Sequence, residues 1–436
     1  MEAGVRVEAI VAFVGISLGA AAAVAQRAPE PPAPPGRDSI SRTPQTPSNA
    51  AADELTRRAA RLGLDLDPKN STAEHPAGAD RGALASIGER AWMDAQLTSG
   101  DDSIAPEPQA LRSFLESRSV SLWQVVEVLE AGTPKWPPRG SSEFSGRFIA
   151  LLRLDRLLLS AAMAEERAGR PSEARRLLEA SWSIFRSLAG DPDAVSAILA
   201  TAVMKMQVGV LRKMREAPIE WLDRLSRDDP WRRSLEAFEN EPRALAALDP
   251  SLAIDARSGS FSNVNVRAHQ AAAQALRRVT PCGLASLSDA DIVRPMVEEY
   301  RKWNDPGVDS GTTARLFSEM TLPELRKALV RSGRLAVDAE LTLRILELRF
   351  ARSASRDNQW PATLEDAASR VCPDAVYRYR SDGPSMEIAF QGSPPEAEYG
   401  LRLPLSFSTR SDRRPTPRPS PPAMTTPTPS PAPVQN

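Results

Sequence analysis

The sequence predicts a mainly α-helical protein, in which a multi-helix, partly repeat-like body carries a small C-terminal antiparallel β-sheet. Three observations lead to this prediction. Apolar residues recur at the three- and four-residue spacing of amphipathic helices over most of residues 53–352. Stops rich in Gly and Pro interrupt that pattern, as at 132–134 and 169–171. Beyond residue 375 the spacing changes to the alternation that is typical of short strands.

The N-terminus predicts export. Arg6 precedes an apolar or small segment, residues 9–25, which ends in the signal-peptidase-like pattern Ala23-Val24-Ala25. The segment is long for a signal peptide and short for a membrane span, so a cleaved signal and a retained membrane tether both stay open. Its Gly15-Ile16-Ser17-Leu18-Gly19 matches the nucleophile elbow of serine hydrolases, but we interpret the match as a coincidence inside an export segment.

Two Pro-rich flanks enclose the predicted folded part of the chain. Residues 26–50 and 408–436 lack the apolar content to form a core and predict extended, disordered segments. The resulting domain organisation is a signal peptide or anchor (1–25), a linker (26–50), a helical domain (51–333), a long helix with a small antiparallel β cap (334–407) and a tail (408–436).

Twelve helices are predicted before the last long one, with ends set by caps, Gly and Pro. They cover Asp53–Leu62, Arg81–Leu97, Pro108–Ser117, Leu122–Ala131, Ser142–Ala168, Ser172–Leu188, Ala194–Arg215, Ile219–Ser226, Pro230–Ala247, Val264–Arg277, Asp289–Trp303 and Pro323–Val330. Met204, Met206 and Met214 make the seventh of these helices strongly apolar, and we interpret them as core residues rather than an adaptable binding surface.

One pair of helices resembles a tetratricopeptide repeat. Small and apolar residues fall at the spacing that lets two antiparallel helices approach closely. They are Ala162, Gly169, Ala174, Leu178 and Ser181. No second copy follows at the expected period, so we predict a repeat-like helical hairpin rather than an array. A peptide-binding groove and plain helix packing are the two readings of its surface.

Arg334–Arg352 is predicted to be the central helix, because it carries two apolar faces where a surface helix needs one. The first face is Leu335, Ala339, Leu343, Leu346 and Phe350. The second face is Val337, Leu341, Ile345 and Leu348. Glu340 and Arg344, between the faces, are spaced for an i,i+4 ion pair.

A short β region is predicted to follow this helix. Trp360-Pro361 marks a stop, and Thr363 with Asp366 predicts the cap of a short helix that ends at Arg370. Strands are predicted at 376–379, 386–390 and 399–407, with Pro404 confining the last to an edge.

This order of long helix, aromatic-Pro step, short helix and hairpin resembles the tail of a family of bacterial envelope proteins. It is also distantly similar to the globular end of type II secretion pseudopilins. The resemblance implies a similar tail fold. It does not imply a pilus subunit, because pseudopilins join their membrane helix directly to this domain, whereas a helical body intervenes here.

Composition excludes several classes of function. The formal net charge of −1 argues against a nucleic-acid partner, because phosphate binding needs a basic surplus. Two cysteines and two histidines are too few for a closely spaced zinc site, and no phosphate-binding glycine loop is present. We therefore predict no cofactor, no metal and no catalytic residue.

A few residues are nonetheless candidates for metal binding, acid–base catalysis or disulfide formation. Asp289 and Asp291 could hold a cation, but an acidic helix start is the preferred interpretation. The neighbouring pairs 165–166 and 298–299, all Glu, point in different directions on a helix. His269 could act as a general base with Asp255 or Ser258 nearby, and His75 lies in a Gly/Pro-rich loop. Cys282 and Cys372 could form one disulfide or remain two buried thiols.

The sequence thus favours an exported scaffold or interaction module of the bacterial envelope, with a protein partner and an undetermined oligomeric state. It would be periplasmic or tethered to the outer face of the inner membrane. One alternative is an extracytoplasmic hydrolase without a recognisable motif, and another is an accessory of a secretion or pilus system. An open, elongated apolar groove would favour the interaction module, and a closed polar pocket the hydrolase.

Overall fold

The computed structural model describes residues 50–66, 87–136, 144–191, 193–248, 261–302, 322–395 and 401–409. This part contains twelve α-helices, one 3₁₀ helix and one three-stranded antiparallel sheet, as the sequence predicts. The helices are α1 (Ala50–Ala60), α2 (Glu89–Thr98), α3 (Gln109–Ser117), α4 (Ser119–Ala131), α5 (Phe144–Arg167), α6 (Pro171–Ala189), α7 (Ala194–Lys213), α8 (Glu220–Arg227), α9 (Pro230–Leu248), α10 (Phe261–Leu276), α11 (Asp289–Lys302) and α12 (Leu322–Ala354). The 3₁₀ helix is Pro281–Ser286, and the strands are β1 (Val376–Ser381), β2 (Met386–Gln391) and β3 (Ser406–Ser408).

Helix α12 contributes to all three hydrophobic cores of the described protein. Its first predicted face joins the largest core, formed mainly by α1–α8, and its second joins the core beneath the β-sheet. Leu322, Leu325 and Leu329 at its start pack into a third core with α9, α10 and α11. The two-faced pattern is therefore confirmed, and it exists because helices cover one side of α12 and the sheet covers the other.

Helices α5 and α6 form the predicted hairpin. Gly169 turns the chain between them with a φ of 76°, a left-handed conformation that costs glycine little. Ala162, Ala174 and Ser181 are buried between the helices, and α7 packs against both. Met204 lies in α7, and Met214 directly follows the end of that helix. Both side chains are fully buried, so the core interpretation of these methionines is confirmed.

The β cap is a sheet with the strand order β1-β2-β3. Residues 367–369 cover the outer edge of β1, where Tyr377 N donates to Ala367 O across 2.6 Å. Gly100 covers the outer edge of β3, because its carbonyl accepts from Ser408 N at 2.8 Å. Both edges are thus paired at least in part, which limits pairing with other chains.

The prediction of a short helix at Thr363–Arg370 is wrong. Its backbone groups are used by the sheet instead, since Ser369 N donates to Ala375 O and Ala368 forms a bridge with Val376. Part of the resemblance to pseudopilins depended on this helix, and the structure does not form it. The local capping pattern was outweighed by the hydrogen bonds available at the open edge of β1.

The largest other differences from the predicted boundaries are in α12, α2 and β3. The helices predicted at Pro323–Val330 and Arg334–Arg352 are one continuous helix, because Gly333 is accommodated inside α12. Helix α2 begins at Glu89, after Gly88 with a φ of 71°, and β3 is limited to Ser406–Ser408. The export segment, most of both Pro-rich flanks, His75, Asp255, Ser258 and Trp303 lie outside the described residues.

A disulfide bond joins the third core to the β cap. Cys282 of the 3₁₀ helix is bonded to Cys372, with their Cα atoms 5.6 Å apart and a sequence separation of 90. Pro281, next to Cys282, packs on Gly333 of α12. The bond therefore holds the 3₁₀ helix and the cap on the same stretch of the central helix, and the disulfide alternative of the sequence analysis is the one the structure adopts.

Candidate functional site

The predicted acidic candidates at the start of α11 are engaged in local and interhelical bonds. Asp291 caps the helix by accepting from Ser288 N at 3.0 Å, and it pairs with Arg294 at 3.1 Å. The Ser288 hydroxyl, which donates to this carboxylate, is the main cause that lowers the pKa of Asp291. Asp289 instead binds Arg326 of α12 at 2.6 Å. The acidic helix start is thus used for capping and for anchoring α11 to α12.

The other candidate residues are separated. Glu165 pairs with Arg170, whereas Glu166 accepts from Arg215 N at 2.9 Å, and burial raises the pKa of Glu166. His269 lies half-buried against Phe238, with ring centroids 4.8 Å apart. Within the described ranges, no group of three or more His, Cys, Asp or Glu side chains is placed to hold a metal ion.

A groove of about 430 Å³ runs along α11. Its floor is apolar, formed by Val293, Val297 and Leu322, and Ala290 lies at one end. Its rim carries both signs of charge, and the rim residues are Asp289, Arg294, Glu298 and Arg301. Among the described residues the groove is open to solvent, and it has the mixed character of a protein-contact surface rather than of a closed polar pocket.

A buried polar junction connects α7, α12 and the segment before β3. The Arg212 guanidinium donates to Thr342 Oγ1 at 2.7 Å, to Asp338 O at 2.6 Å and to Pro404 O at 2.9 Å. Burial is the main cause that lowers the pKa of Arg212 to about 10. Asp338, fully buried on α12, supplies the opposite charge, 3.5 Å from Arg334 Nε and 3.9 Å from Arg212 Nη2.

Two further cations act at the C-terminal end of α7, the half-buried Arg349 and the buried Lys213. Arg349 of α12 donates to Leu211 O at 2.9 Å and to Arg212 O at 2.6 Å, which satisfies carbonyls that the helix leaves unpaired. Lys213 Nζ donates to Asp101 O at 2.7 Å and so fixes the loop after α2. Cations at a helix C-terminus also interact favourably with the helix dipole.

Glu340 connects α12 to the β cap. Its carboxylate accepts from the Ser369 hydroxyl at 2.6 Å, Arg370 N at 2.6 Å and the Tyr377 hydroxyl at 3.0 Å. Arg344 does not pair with Glu340 as predicted. It pairs with Glu347 and, at 3.0 Å, with Asp366, whose pKa the Arg344 hydrogen bond lowers.

Sequence reasoning missed this polar layer, although a signal for it was present. A helix with two apolar faces buries the positions between those faces as well, and Asp338, Glu340, Thr342 and Arg344 occupy them in α12. Charged residues are rarely fully buried unless they are paired. Two-faced burial therefore implies partners for these side chains, but it does not identify them.

The fold and these sites define a mainly helical protein with a small β cap, organised around one helix. One described helix, α7, is long and apolar enough to cross a membrane, and 78% of its most apolar window is buried inside the protein. No family model, curated protein or solved structure matches the chain.

Proposed function

We propose that this protein is an exported, non-catalytic scaffold or interaction module of the bacterial cell envelope, which binds a protein partner through its helical surface. The observation that carries the proposal is the groove along α11. The groove is open, its floor is apolar and its rim is charged. Protein–protein interfaces have the same arrangement, with an apolar centre that excludes water and a polar rim that forms hydrogen bonds.

The Cys282–Cys372 disulfide supports the export part of the proposal. Such bonds form and persist in oxidising compartments such as the bacterial periplasm, and they are rare in the cytosol. The apolar segment 9–25 supplies the corresponding targeting signal, either as a cleaved signal peptide or as a tether to the outer face of the inner membrane.

Crosslinking and co-purification of the full-length protein from its native envelope test the interaction role. We expect a stoichiometric protein partner that stays bound through purification. Recovery of the protein alone, from a soluble envelope fraction, would contradict the proposal. A hydrolase would then be the hypothesis to test next, by a substrate screen.

A matched pair of variants tests whether the groove is the contact. Ala290→Arg places a long cation at the end of the groove, at the second residue of α11. Val120→Arg makes a similar change at the second residue of α4, where the side chain is 73% exposed. We expect Ala290→Arg to reduce the yield of crosslinked partner at least tenfold and Val120→Arg to leave it unchanged. Equal yields from both variants would exclude the groove as the contact surface.

A thiol-trapping experiment tests the export part separately. Cells are quenched in acid, and the unfolded, unreduced protein is then treated with a thiol-alkylating reagent. We expect neither Cys282 nor Cys372 to be alkylated when the full chain is expressed. Deletion of residues 1–25 should keep the protein in the cytosol and make both cysteines reactive. Reactive cysteines in the full chain would count against export.

A further inference from the structure

Three fully buried polar side chains meet where α5, α6 and α7 cross. Asp155, Ser181 and Gln207 each have 0% exposure, and each comes from a different helix. The Ser181 hydroxyl donates to Asp155 Oδ1 at 2.5 Å and accepts from Gln207 Nε2 at 2.8 Å. The serine thus links the carboxyl group to the amide group.

Within the described part of the chain, two acceptor atoms of this group are buried without a hydrogen-bond partner. They are Asp155 Oδ2 and Gln207 Oε1, the second oxygen of the acid and the oxygen of the amide. A buried acceptor without a donor destabilises the fold, and an unpaired buried carboxylate does so more strongly. One proton added to the Asp155 carboxylate removes both destabilising effects, because the protonated carboxyl group can donate a hydrogen bond to the other acceptor.

We propose that Asp155 is protonated in the folded protein and donates that proton to Gln207 Oε1, which closes a ring of three hydrogen bonds across α5, α6 and α7. In this Asp155 ring, the acid donates to the amide oxygen, the amide NH₂ donates to the hydroxyl, and the hydroxyl donates back to the acid. The two acceptor atoms that lacked a partner, Asp155 Oδ2 and Gln207 Oε1, then share one hydrogen bond.

The surroundings of Asp155 favour the protonated form. Burial raises the pKa of Asp155 from 3.8 to about 8, with the Ser181 hydrogen bond and Arg156 acting in the opposite direction. The Arg156 guanidinium turns to Glu89 of α2, and these groups are 3.5 Å apart. From α6 the Ser181 hydroxyl reaches Asp155, and the Gln207 amide of α7 is linked to Asp155 through that hydroxyl. Neither of these two groups titrates.

The ring makes the helical body sensitive to pH in a defined direction. The unfolded chain releases the Asp155 proton near pH 4, whereas the folded chain keeps it to about pH 8. The contribution of Asp155 to stability is therefore greatest below about pH 4 and falls as the pH rises from about 4 to about 8, after which it is constant. Above that range the ring opens, and α5, α6 and α7 lose the bond that closes it.

Asp155→Asn tests the direction of this effect. The asparagine amide can donate to Gln207 Oε1 and does not titrate, so the variant keeps the ring at every pH. We expect the melting temperature of the variant, relative to the natural chain, to rise steadily from pH 5 to pH 8. Asp223→Asn, the same change on the exposed side of α8, is the control and should give a constant difference. A constant or falling difference for Asp155→Asn would overturn the proposal.

A second experiment separates the ring from burial alone. Infrared difference spectroscopy of the full chain follows the protonated carboxyl band that Asp155→Asn removes. We expect this band at pH 7 with a midpoint near 8, and a midpoint at least half a pH unit lower in Gln207→Met, which has no amide oxygen to accept the proton. An unchanged midpoint in Gln207→Met would show that Gln207 does not hold the proton. Absence of the band at pH 7 would show that Asp155 is ionised.

Discussion

Single buried polar residues determine how the β cap meets the helical body. Glu340 is 6% exposed, and its carboxylate collects two side-chain donors and one backbone donor from the cap. Tyr377 is 3% exposed, and burial is the main cause that raises the pKa of its hydroxyl. The Glu340 carboxylate close to that hydroxyl acts in the same direction, so Tyr377 stays a hydrogen-bond donor over the whole neutral range.

Tyr377→Phe should lower the free energy of unfolding by about 1–3 kcal/mol, because the carboxylate of Glu340 loses one donor at a site that water does not reach. Tyr379→Phe is the control. Its hydroxyl is half-buried and donates to the Pro361 carbonyl at 2.8 Å, where water can replace it, so we expect a loss below about 1 kcal/mol. Urea denaturation measures both values, and equal losses would argue against a special role of the Glu340 carboxylate.

At the scale of elements, α12 packs through its two apolar faces and, at one glycine, lies in close contact with two proline rings. Gly333 lies where Pro281 and Pro395 approach the helix, and a Cβ there would lie 3.1 Å from Pro281 Cβ and 3.2 Å from Pro395 Cγ. Proline rings cannot rotate away. Glycine is therefore needed at this position for packing, although it lowers helix propensity by about 1 kcal/mol.

Gly333→Ala should lower the free energy of unfolding by about 1–2 kcal/mol, because the crowding against two rings outweighs the gain in helix propensity. Gly132→Ala is the control, since no atom of the described residues lies within 4 Å of a Cβ at that position. We expect it to change the free energy by less than about 0.5 kcal/mol. A stabilising effect of Gly333→Ala in thermal denaturation would show that the two proline segments can move apart.

The two faces of α12 should respond to mutation in different parts of the protein. Ile345 and Leu346 are adjacent and both have 0% exposure, but Ile345 packs under the sheet and Leu346 packs against the helices. Truncation of either to alanine should cost about 2–5 kcal/mol. In hydrogen exchange, Ile345→Ala should speed exchange first in β1 and β2. Leu346→Ala should speed it first in α7 and α8, the helices of the largest core that contact α12. The same exchange pattern for both variants would mean that cap and body open together.

At the scale of the whole molecule, one covalent bond connects parts that are distant in the chain. The Cys282–Cys372 disulfide closes a loop with a sequence separation of 90 and ties the third core to the cap. In the chain-entropy model a bond that closes a loop of this length stabilises a protein by about 4 kcal/mol. The bond acts mostly on the unfolded chain, so it need not change the native packing.

Reduction should therefore lower the free energy of unfolding by about 4 kcal/mol in denaturant titrations with and without a phosphine reductant. The variant with both Cys282→Ala and Cys372→Ala is the control and should give the same curve with and without reductant. Equal curves for the natural chain in both conditions would contradict a bond that stabilises the fold.

Much of the architecture could be predicted from the sequence, because it depends on periodicity. The two faces of α12, the hairpin of α5 and α6, the buried methionines of α7 and the β1–β2 hairpin follow from apolar spacing and turn residues, which act locally. The short helix at Thr363–Arg370 was wrong for the opposite reason. Its local cap signal competed with a strand edge that is formed by residues further along the chain.

The polar contacts depended on the tertiary structure alone. Nothing local pairs Glu340 with Tyr377, Arg212 with Pro404, or Asp155 with Ser181, because these residues meet only when separate helices and strands pack. The sequence by itself determined the fold class, the central helix and a pair of cysteines that could bond. Only the tertiary structure decided which buried charges have partners, because burial and hydrogen bonding depend on all neighbours in space and not on neighbours in sequence.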